Sequence, residues 1–110
     1  MRRFVEVAKL DDIVSGAAVV VTVGMTTVAL FEVDGCLYAV EDGCLLCGSS
    51  IAAGLLAGTE VACSGCKWRY DVTTGRVQGV PALRVNTFEV RTLGAHVMVE
   101  KKVDPDSKRP

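Results

Sequence analysis

Residues 42–71 read DGCLLCGSSIAAGLLAGTEVACSGCKWRYD and contain four of the five cysteines of the chain. The cysteines form two pairs, Cys44/Cys47 and Cys63/Cys66, each with two residues between its members, and fifteen residues separate the pairs. Two Cys-x-x-Cys motifs at such a spacing are typical of a tetrahedral thiolate site. Two intervening residues let both sulfurs reach one ion at about 2.3 Å. The stretch therefore predicts a metal site around which the rest of the chain must fold.

Soft sulfur ligands suit zinc, iron or an iron–sulfur cluster. Three weaker interpretations remain open: two disulfides, one redox-active dithiol pair, or small buried hydrophobic side chains. A dithiol enzyme would be expected to show a βαβ pattern around its motif, and the sequence has none. Cys36 has no partner at ligand spacing, and we expect it to occupy a core position in a strand.

Composition excludes several functional classes. The chain has 110 residues, enough for one domain, and a net charge of −1, so no basic field indicates a nucleic-acid or membrane partner. No signal peptide is expected, and the most apolar run, residues 17–33, is interrupted by Gly24 and by threonines. A cytoplasmic location is therefore expected, where paired cysteines are more often metal ligands or redox groups than structural disulfides.

Short apolar runs separated by turn residues predict an all-β fold. Asp34-Gly35 is a strong hairpin signal, and no stretch keeps a helical period for three turns. Strands are predicted at residues 4–10, 17–23, 26–33, 36–41, 60–63, 68–72, 83–92 and 95–102.

These strands predict one domain over residues 1–102. It would comprise an antiparallel base, from residues 3–41 and 83–102, and a small metal-binding subdomain at about 42–82. Residues 103–110 are polar and rich in proline, which predicts a flexible tail.

Three segments resemble the Rieske ferredoxin family. FEVDGCLYAVEDGC (31–44) is similar to the entry into the first ligand loop of that family, and GSSIAAGLLAGTEVAC (48–63) to the linker between its two loops. KWRYDVTTGRVQGVPALRVNTFEVR (67–91) resembles the exit, with a turn at 71–75 and a proline loop at 80–82. The resemblance covers nearly the whole chain and implies a Rieske-like antiparallel β base that carries a cluster-binding subdomain.

The same resemblance implies one-electron transfer, with a reductase and an oxygenase-type acceptor as partners. No nucleophile–base pair or phosphate-binding loop suggests an enzyme, so we expect an electron-transfer or metal-binding protein without catalytic residues. It is expected to act as a monomer, without nucleic-acid or membrane partners.

The ligand positions depart from the family pattern, which is Cys-x-His in the first loop and Cys-x-x-His in the second. Cys44 and Cys63 match the two cysteines of that pattern. Leu46 and Cys66 stand at the histidine positions, and Cys47 is an additional cysteine. The resulting set of four cysteines is similar to those of rubredoxins and zinc ribbons.

We therefore expect a mononuclear Fe or Zn ion, because each loop offers a closely spaced pair that can chelate one ion. The alternatives are an all-Cys [2Fe–2S] cluster, or a redox-silent structural zinc module. The chain would be either a natural ligand-switched member or an engineered variant. His96, the one histidine, is expected to be a surface residue rather than a ligand.

Five further residues are expected around the metal. By resemblance, Tyr70 donates a hydrogen bond to a cysteine sulfur, or else it is simply a strand aromatic. Trp68 is expected to pack against the loops and Pro81 to close the third side of the site. Leu45 and Leu46 should lie near the tip of the first loop, where they either form an apolar docking patch or cover the metal.

Overall fold

The computed structural model describes residues 3–13 and 16–101, with only the backbone described at 81 and 101. Within these residues there is no α-helix and hence no helix that could cross a membrane. Two short 3₁₀ turns lie at Leu10–Asp12 and Ile51–Ala53. The remaining regular structure consists of strands β1 (Arg3–Lys9), β2 (Ala18–Val23), β3 (Thr26–Val33), β4 (Cys36–Glu41), β5 (Leu55–Ala57), β6 (Glu60–Ala62), β7 (Arg69–Asp71), β8 (Arg76–Val77), β9 (Val80–Arg84), β10 (Thr87–Phe88), β11 (Val90–Leu93) and β12 (His96–Lys101).

The strands form three antiparallel sheets, which confirms the predicted all-β class. Two of them, β1-β12-β11 and β10-β4-β3-β2, make up the base sheets. The third, β5-β6-β7-β8-β9, carries one of the two cysteine pairs in its loops and is called the site sheet. The predicted tail at 103–110 lies outside the described residues.

Strand β3 is buried on both faces, which explains its run of four buried residues from Val28 to Phe31. Side chains alternate between the faces of a strand. Val28 and Leu30 accordingly join the core between the base sheets, together with Val97 and Val99. Ala29 and Phe31 join a second core that reaches the cysteines. One strand therefore supports both the base and the metal-binding region.

The turn between β3 and β4 has the predicted hairpin geometry. Asp34 and Gly35 have φ angles of 52° and 83°, so both take the left-handed conformation that two-residue hairpins favour. The expectation that Cys36 is a core residue is wrong, because its side chain is exposed. It pairs with Val33 at the mouth of the turn, whereas the buried residues of β4 are Ala39 and Val40, farther along the strand.

The site sheet has more strands than the sequence predicted. β5 and β8 were missed, because segments of two or three residues carry too little alternation to be recognised, and β9 was predicted only at its last two residues. The proline loop predicted at 80–82 is instead part of β9 (Val80–Arg84), so the site sheet extends to Arg84. The strand predicted at 83–92 is divided among β9, β10 and β11, because the chain passes there through all three sheets.

Candidate metal centre

Two backbone turns present the cysteines in the same way. In the first knuckle, residues 44–49, Gly48 N donates to Cys44 O at 2.9 Å. In the second knuckle, residues 63–68, Lys67 N donates to Cys63 O at 3.0 Å. Residues 48 and 67 both take left-handed conformations, with φ of 77° and 70°. The two motifs are thus structurally repeated, which directs the sulfurs of both knuckles to one point.

The four sulfur atoms lie within 4.8 Å of one another. The closest contacts join the two knuckles: Cys44 Sγ lies 3.5 Å from Cys66 Sγ, and Cys47 Sγ lies 3.5 Å from Cys63 Sγ. A tetrahedral ion bonded to four sulfurs at about 2.3 Å would hold them about 3.8 Å apart. The observed cluster therefore has nearly the size of a mononuclear thiolate site.

The two knuckles pack so closely that a side chain at one position would have to displace two side chains of the first knuckle. A Cβ atom on Gly65 would lie 2.6 Å from Ser49 Oγ and 2.9 Å from Cys47 Sγ. Real Cβ atoms essentially never approach heavy atoms so closely. The absence of a side chain at Gly65 allows the second knuckle to approach the sulfur of the first.

Cys44 is held by several hydrogen-bond donors. The Tyr70 hydroxyl donates to Cys44 Sγ across 3.2 Å and accepts a hydrogen bond from Leu45 N at 2.9 Å. Burial raises the pKa of the Cys44 thiol, but hydrogen bonds from Tyr70 and from the backbone of Cys47 and Leu46 outweigh it and lower the pKa to about 6. The pKa of Tyr70 is raised by burial and by its bond to Cys44, so the phenol keeps its proton and remains a donor.

The pKa values of Cys47 and Cys66 shift in opposite directions. The Ser49 side chain and backbone lower the pKa of Cys47 by hydrogen bonding. A hydrogen bond from the Trp68 backbone favours the Cys66 thiolate, but burial and the neighbouring sulfurs, Cys44 first, raise its pKa to about 12. Cys44 therefore ionises first and leaves a proton on Cys66, and a metal ion that binds all four thiolates must displace that proton.

The remaining predicted residues divide into buried and exposed groups. Tyr70 is fully buried in the core that includes Cys44 and Cys63, and Trp68 is half-buried against the same core. Leu45 and Leu46 are 51% and 55% exposed, so more than half of each side chain faces solvent. The side chain of Pro81 lies outside the described residues.

Asp42 anchors the first knuckle, and the sequence analysis missed it. Its carboxylate accepts hydrogen bonds from Ser50 Oγ and from Ala52 N, each at 2.8 Å. Its backbone N–H donates to Thr27 O at 2.9 Å, which ties the loop to the base. These partners lie eight and ten positions after Asp42, beyond the reach of a local turn signal in the sequence.

Comparison with known proteins identifies relatives over almost the whole chain. The family model of the Rieske-like [2Fe–2S] domain matches residues 3–100. The ferredoxin component of naphthalene 1,2-dioxygenase/salicylate 5-hydroxylase systems from a Ralstonia species is 32% identical over 100 residues, 90% of this chain and 96% of the relative.

Two solved structures are similar as well. The ferredoxin of carbazole 1,9a-dioxygenase from Nocardioides aromaticivorans IC177 has a TM-score of 0.84 at 25% identity, over 90% of this chain and 98% of its own. A chain of the complex of reduced oxygenase and oxidized ferredoxin in carbazole 1,9a-dioxygenase has a TM-score of 0.80 at 28% identity. The match covers 92% of this chain and 97% of the other chain. These relatives have the length of a ferredoxin component.

The donor set does not fit the usual Rieske cluster, in which two histidines replace two cysteines on one iron. Neither knuckle contains a histidine, and His96 lies exposed in β12, where Nδ1 is 2.5 Å from Glu6 Oε2. The clustered sulfurs of Cys44, Cys47, Cys63 and Cys66 instead form a set of four cysteines. With its match over residues 3–100, the chain belongs to the Rieske-like [2Fe–2S] domain family, and the relatives named above are ferredoxin components of dioxygenase systems.

Proposed function

We propose that this chain carries single electrons between a reductase and an oxygenase-type acceptor, and that its four cysteines hold one iron ion. The observation that carries the proposal is the compactness of the cluster, in which all four sulfurs lie within 4.8 Å of one another. The partner classes come from the relatives, which are ferredoxin components of dioxygenase systems.

The sulfur geometry favours one ion over two. A two-iron cluster has two thiolates at each end, with both metals and the bridging sulfides between the ends. Such a cluster needs two sulfur pairs that are well separated from each other. Here the close contacts, Cys44 to Cys66 and Cys47 to Cys63, both cross between the knuckles, and no pair stands apart.

An iron ion in a site of four thiolates supplies one-electron chemistry. The residues of the chain provide the environment for it. Tyr70 and the backbone N–H groups of the knuckles donate hydrogen bonds to the sulfurs, which stabilises their negative charge. Leu45 and Leu46 remain exposed beside the site, where an approaching partner could contact them.

A structural zinc module is the second candidate, because zinc accepts the same tetrahedral set of four thiolates. The site would then be redox-silent and the metal would stabilise the knuckles. An all-Cys [2Fe–2S] cluster is the third candidate. For all three we propose a single domain over residues 1–102, with the metal-binding part at about 42–82. We propose a cytoplasmic location, where free thiols persist.

Metal and sulfide analysis of anaerobically purified protein, with a visible spectrum, tests the proposal. We expect one iron per chain, no labile sulfide, and a colour that dithionite bleaches reversibly. Two irons with labile sulfide would establish the cluster instead. Colourless protein with one zinc, whose iron form cannot be reduced, would overturn the carrier function.

Substitution of the cysteines provides the matched control. Cys47→Ser should sharply reduce the metal content, because it removes one of four ligands. Cys36→Ser should leave the metal content intact, because Cys36 lies exposed at the far end of the β3–β4 hairpin. Full metal content and an unchanged spectrum for Cys47→Ser would contradict the four-thiolate site.

A further inference from the structure

A groove opens directly beside the second knuckle. It has a volume of about 480 Å³. One of its walls is formed by Lys67 and Trp68, one and two residues after Cys66. The turn between β8 and β9 forms its opposite wall, where Val80 is 43% exposed. The groove therefore offers an apolar floor and a cationic rim next to one of the four cysteines.

Two arginines of the same sheet lie directly opposite each other. Arg76 in β8 pairs with Arg84 in β9, and both are exposed. Like charges in such a cross-strand position destabilise a sheet. Within the part of the chain that the structure describes, neither guanidinium forms an ion pair. The pair is therefore a concentration of positive charge that lacks an anionic partner.

The carboxylates of the site sheet do not neutralise this charge. Glu60 lies 3.9 Å from Arg69, in an exposed ion pair that contributes little. Asp71 Oδ1 accepts hydrogen bonds from the backbone N–H and the hydroxyl of Thr73. Residues 67–84, the segment that forms the groove and its adjoining strands, contain four cationic and one anionic side chain, a net charge of +3, although the whole chain has a net charge of −1. Positive charge is thus concentrated in the segment that follows Cys66.

The second knuckle carries a lysine where the turn geometry favours glycine. The φ of 70° at Lys67 is unfavourable for a residue with a Cβ, and the equivalent position of the first knuckle is Gly48. Strained residues cluster at functional sites, where they persist because the site requires them. The lysine at this position places an ammonium group on the rim of the groove.

We propose that this groove, with Lys67 and Arg69 in its lining and the Arg76–Arg84 pair on the adjoining strands β8 and β9, is the docking site for an acidic segment of a redox partner protein. The partner would present carboxylates to the four cations and an apolar side chain to Trp68 and Val80. This proposal rests on the proposed function as an electron carrier, because it assigns that carrier the chemistry of its partner. A partner bound here would contact Lys67 and Trp68, the two residues that follow Cys66, so recognition and electron transfer would share one surface.

The first experiment tests the surface without requiring redox activity. The zinc-loaded protein is titrated with a pentapeptide of four glutamates around one phenylalanine, and amide chemical shifts are followed by NMR. We expect saturable shifts at residues 67–69 and 76–84. Affinity should fall about tenfold when the ionic strength is raised from about 0.01 to about 0.15 M, because the screening length falls from about 30 to about 8 Å.

Two double variants with the same change in total charge make the comparison specific. Arg76→Gln/Arg84→Gln should weaken peptide binding about tenfold. Arg3→Gln/Lys9→Gln, which removes two exposed cations from β1, should leave it within about twofold. Equal weakening by both variants, absence of saturable shifts, or shifts that map to the base sheets would overturn the proposal.

The second experiment separates this proposal from the proposed function. Iron-loaded, reduced protein is oxidised by ferricyanide, an anion, or by hexaamminecobalt(III), a cation. Arg76→Gln/Arg84→Gln should slow the reaction with ferricyanide severalfold and should not slow the reaction with the cobalt complex. Equal slowing of both would overturn the electrostatic role of the groove. A protein that cannot be reduced would refute the carrier function, whereas the NMR titration would still decide whether the groove binds the acidic peptide.

Discussion

Gly48 and Lys67 occupy the same position in two backbone turns of the same shape. Each donates its N–H to the carbonyl of the cysteine four residues before it, at 2.9 and 3.0 Å, and their φ angles differ by only a few degrees, at 77° and 70°. Glycine adopts this conformation without steric cost, whereas a residue with a Cβ does not. The second knuckle therefore holds backbone strain that the first avoids.

Lys67→Gly should stabilise the metal-loaded protein by about 1 kcal/mol, because it removes the contact of a Cβ with the adjacent carbonyl oxygen. Thermal unfolding of the metal-loaded form measures the change. Lys9→Gly is the control: Lys9 is extended, with φ of −108°, so glycine there should destabilise the protein. An unchanged or lower stability of Lys67→Gly would show that the second knuckle is not strained.

Tyr70→Phe should lower the reduction potential of the iron form, by on the order of tens of millivolts, because Cys44 loses its hydroxyl donor. The phenyl ring keeps the buried packing, so the fold should persist. Voltammetry of the two iron-loaded proteins provides the measurement. Tyr38→Phe, in β4, is the control. It removes a hydroxyl that does not donate to the metal-binding cysteines and should leave the potential unchanged. Equal potentials for Tyr70→Phe and the parent protein would contradict the role of this hydrogen bond.

The stability of the metal-free protein should depend on the ionisation of Cys44. Its pKa falls from an ordinary value of 9.0 to about 6 in the folded state, so its ionised form stabilises the fold. That stabilisation is complete above about pH 9 and is lost as the pH falls through about 6. Urea unfolding measures the free energy of unfolding of the metal-free protein and of its Cys44→Ala variant between about pH 6 and about pH 9. The difference between the two free energies should become smaller toward low pH. A constant difference would refute the lowered pKa.

Metal binding should protect four cysteines from alkylation and leave the fifth reactive. Cys36 and Cys47 are both exposed, but only Cys47 has its sulfur in the cluster. We expect iodoacetamide to modify Cys36 at the same rate with or without metal, and Cys47 only after chelation. Peptide mass mapping measures both rates in one sample, so Cys36 is an internal control. Rapid modification of Cys47 in the metal-loaded protein would exclude it as a ligand.

Restoring the family ligands should restore a two-iron cluster. Leu46→His and Cys66→His place one imidazole in each knuckle, and Cys47→Ala removes the additional thiolate. The two remaining cysteines, Cys44 and Cys63, are both buried. Together with the two new histidines they form the mixed ligand set of a Rieske centre. Reconstituted protein should contain two irons and labile sulfide. Folded protein with one iron would show that the knuckles themselves, and not only the ligands, specify a mononuclear site.

Local sequence signals predicted the parts of this structure that depend on neighbouring residues. The Asp34-Gly35 turn, the strands of the base and the two knuckles all follow from spacing, alternation and glycine positions within about ten residues. The signals failed where the segments were short. β5 and β8 have three and two residues, and their pairing partners, not their own sequences, make them strands.

The sequence also did not predict which apolar side chains of a strand are buried. Cys36 alternates with its neighbours like a core residue, yet it lies at the mouth of a hairpin, where nothing covers it. Val28 to Phe31 are buried without alternation because sheets pack on both faces of β3. Whether an apolar residue is covered depends on which sheets pack around it, and that is a property of the whole fold.

The sequence by itself determined the all-β class, the family and the composition of the four-cysteine set, because these depend on residue types and their spacing. Only the tertiary structure decided that the two knuckles meet, with their sulfurs within 4.8 Å of one another, and that Tyr70 reaches Cys44 from 26 positions away in the chain. It also placed Arg76 opposite Arg84, in adjacent strands of the site sheet. Distances between residues remote in sequence are set by sheet pairing and core packing, which a linear pattern of residues does not encode locally.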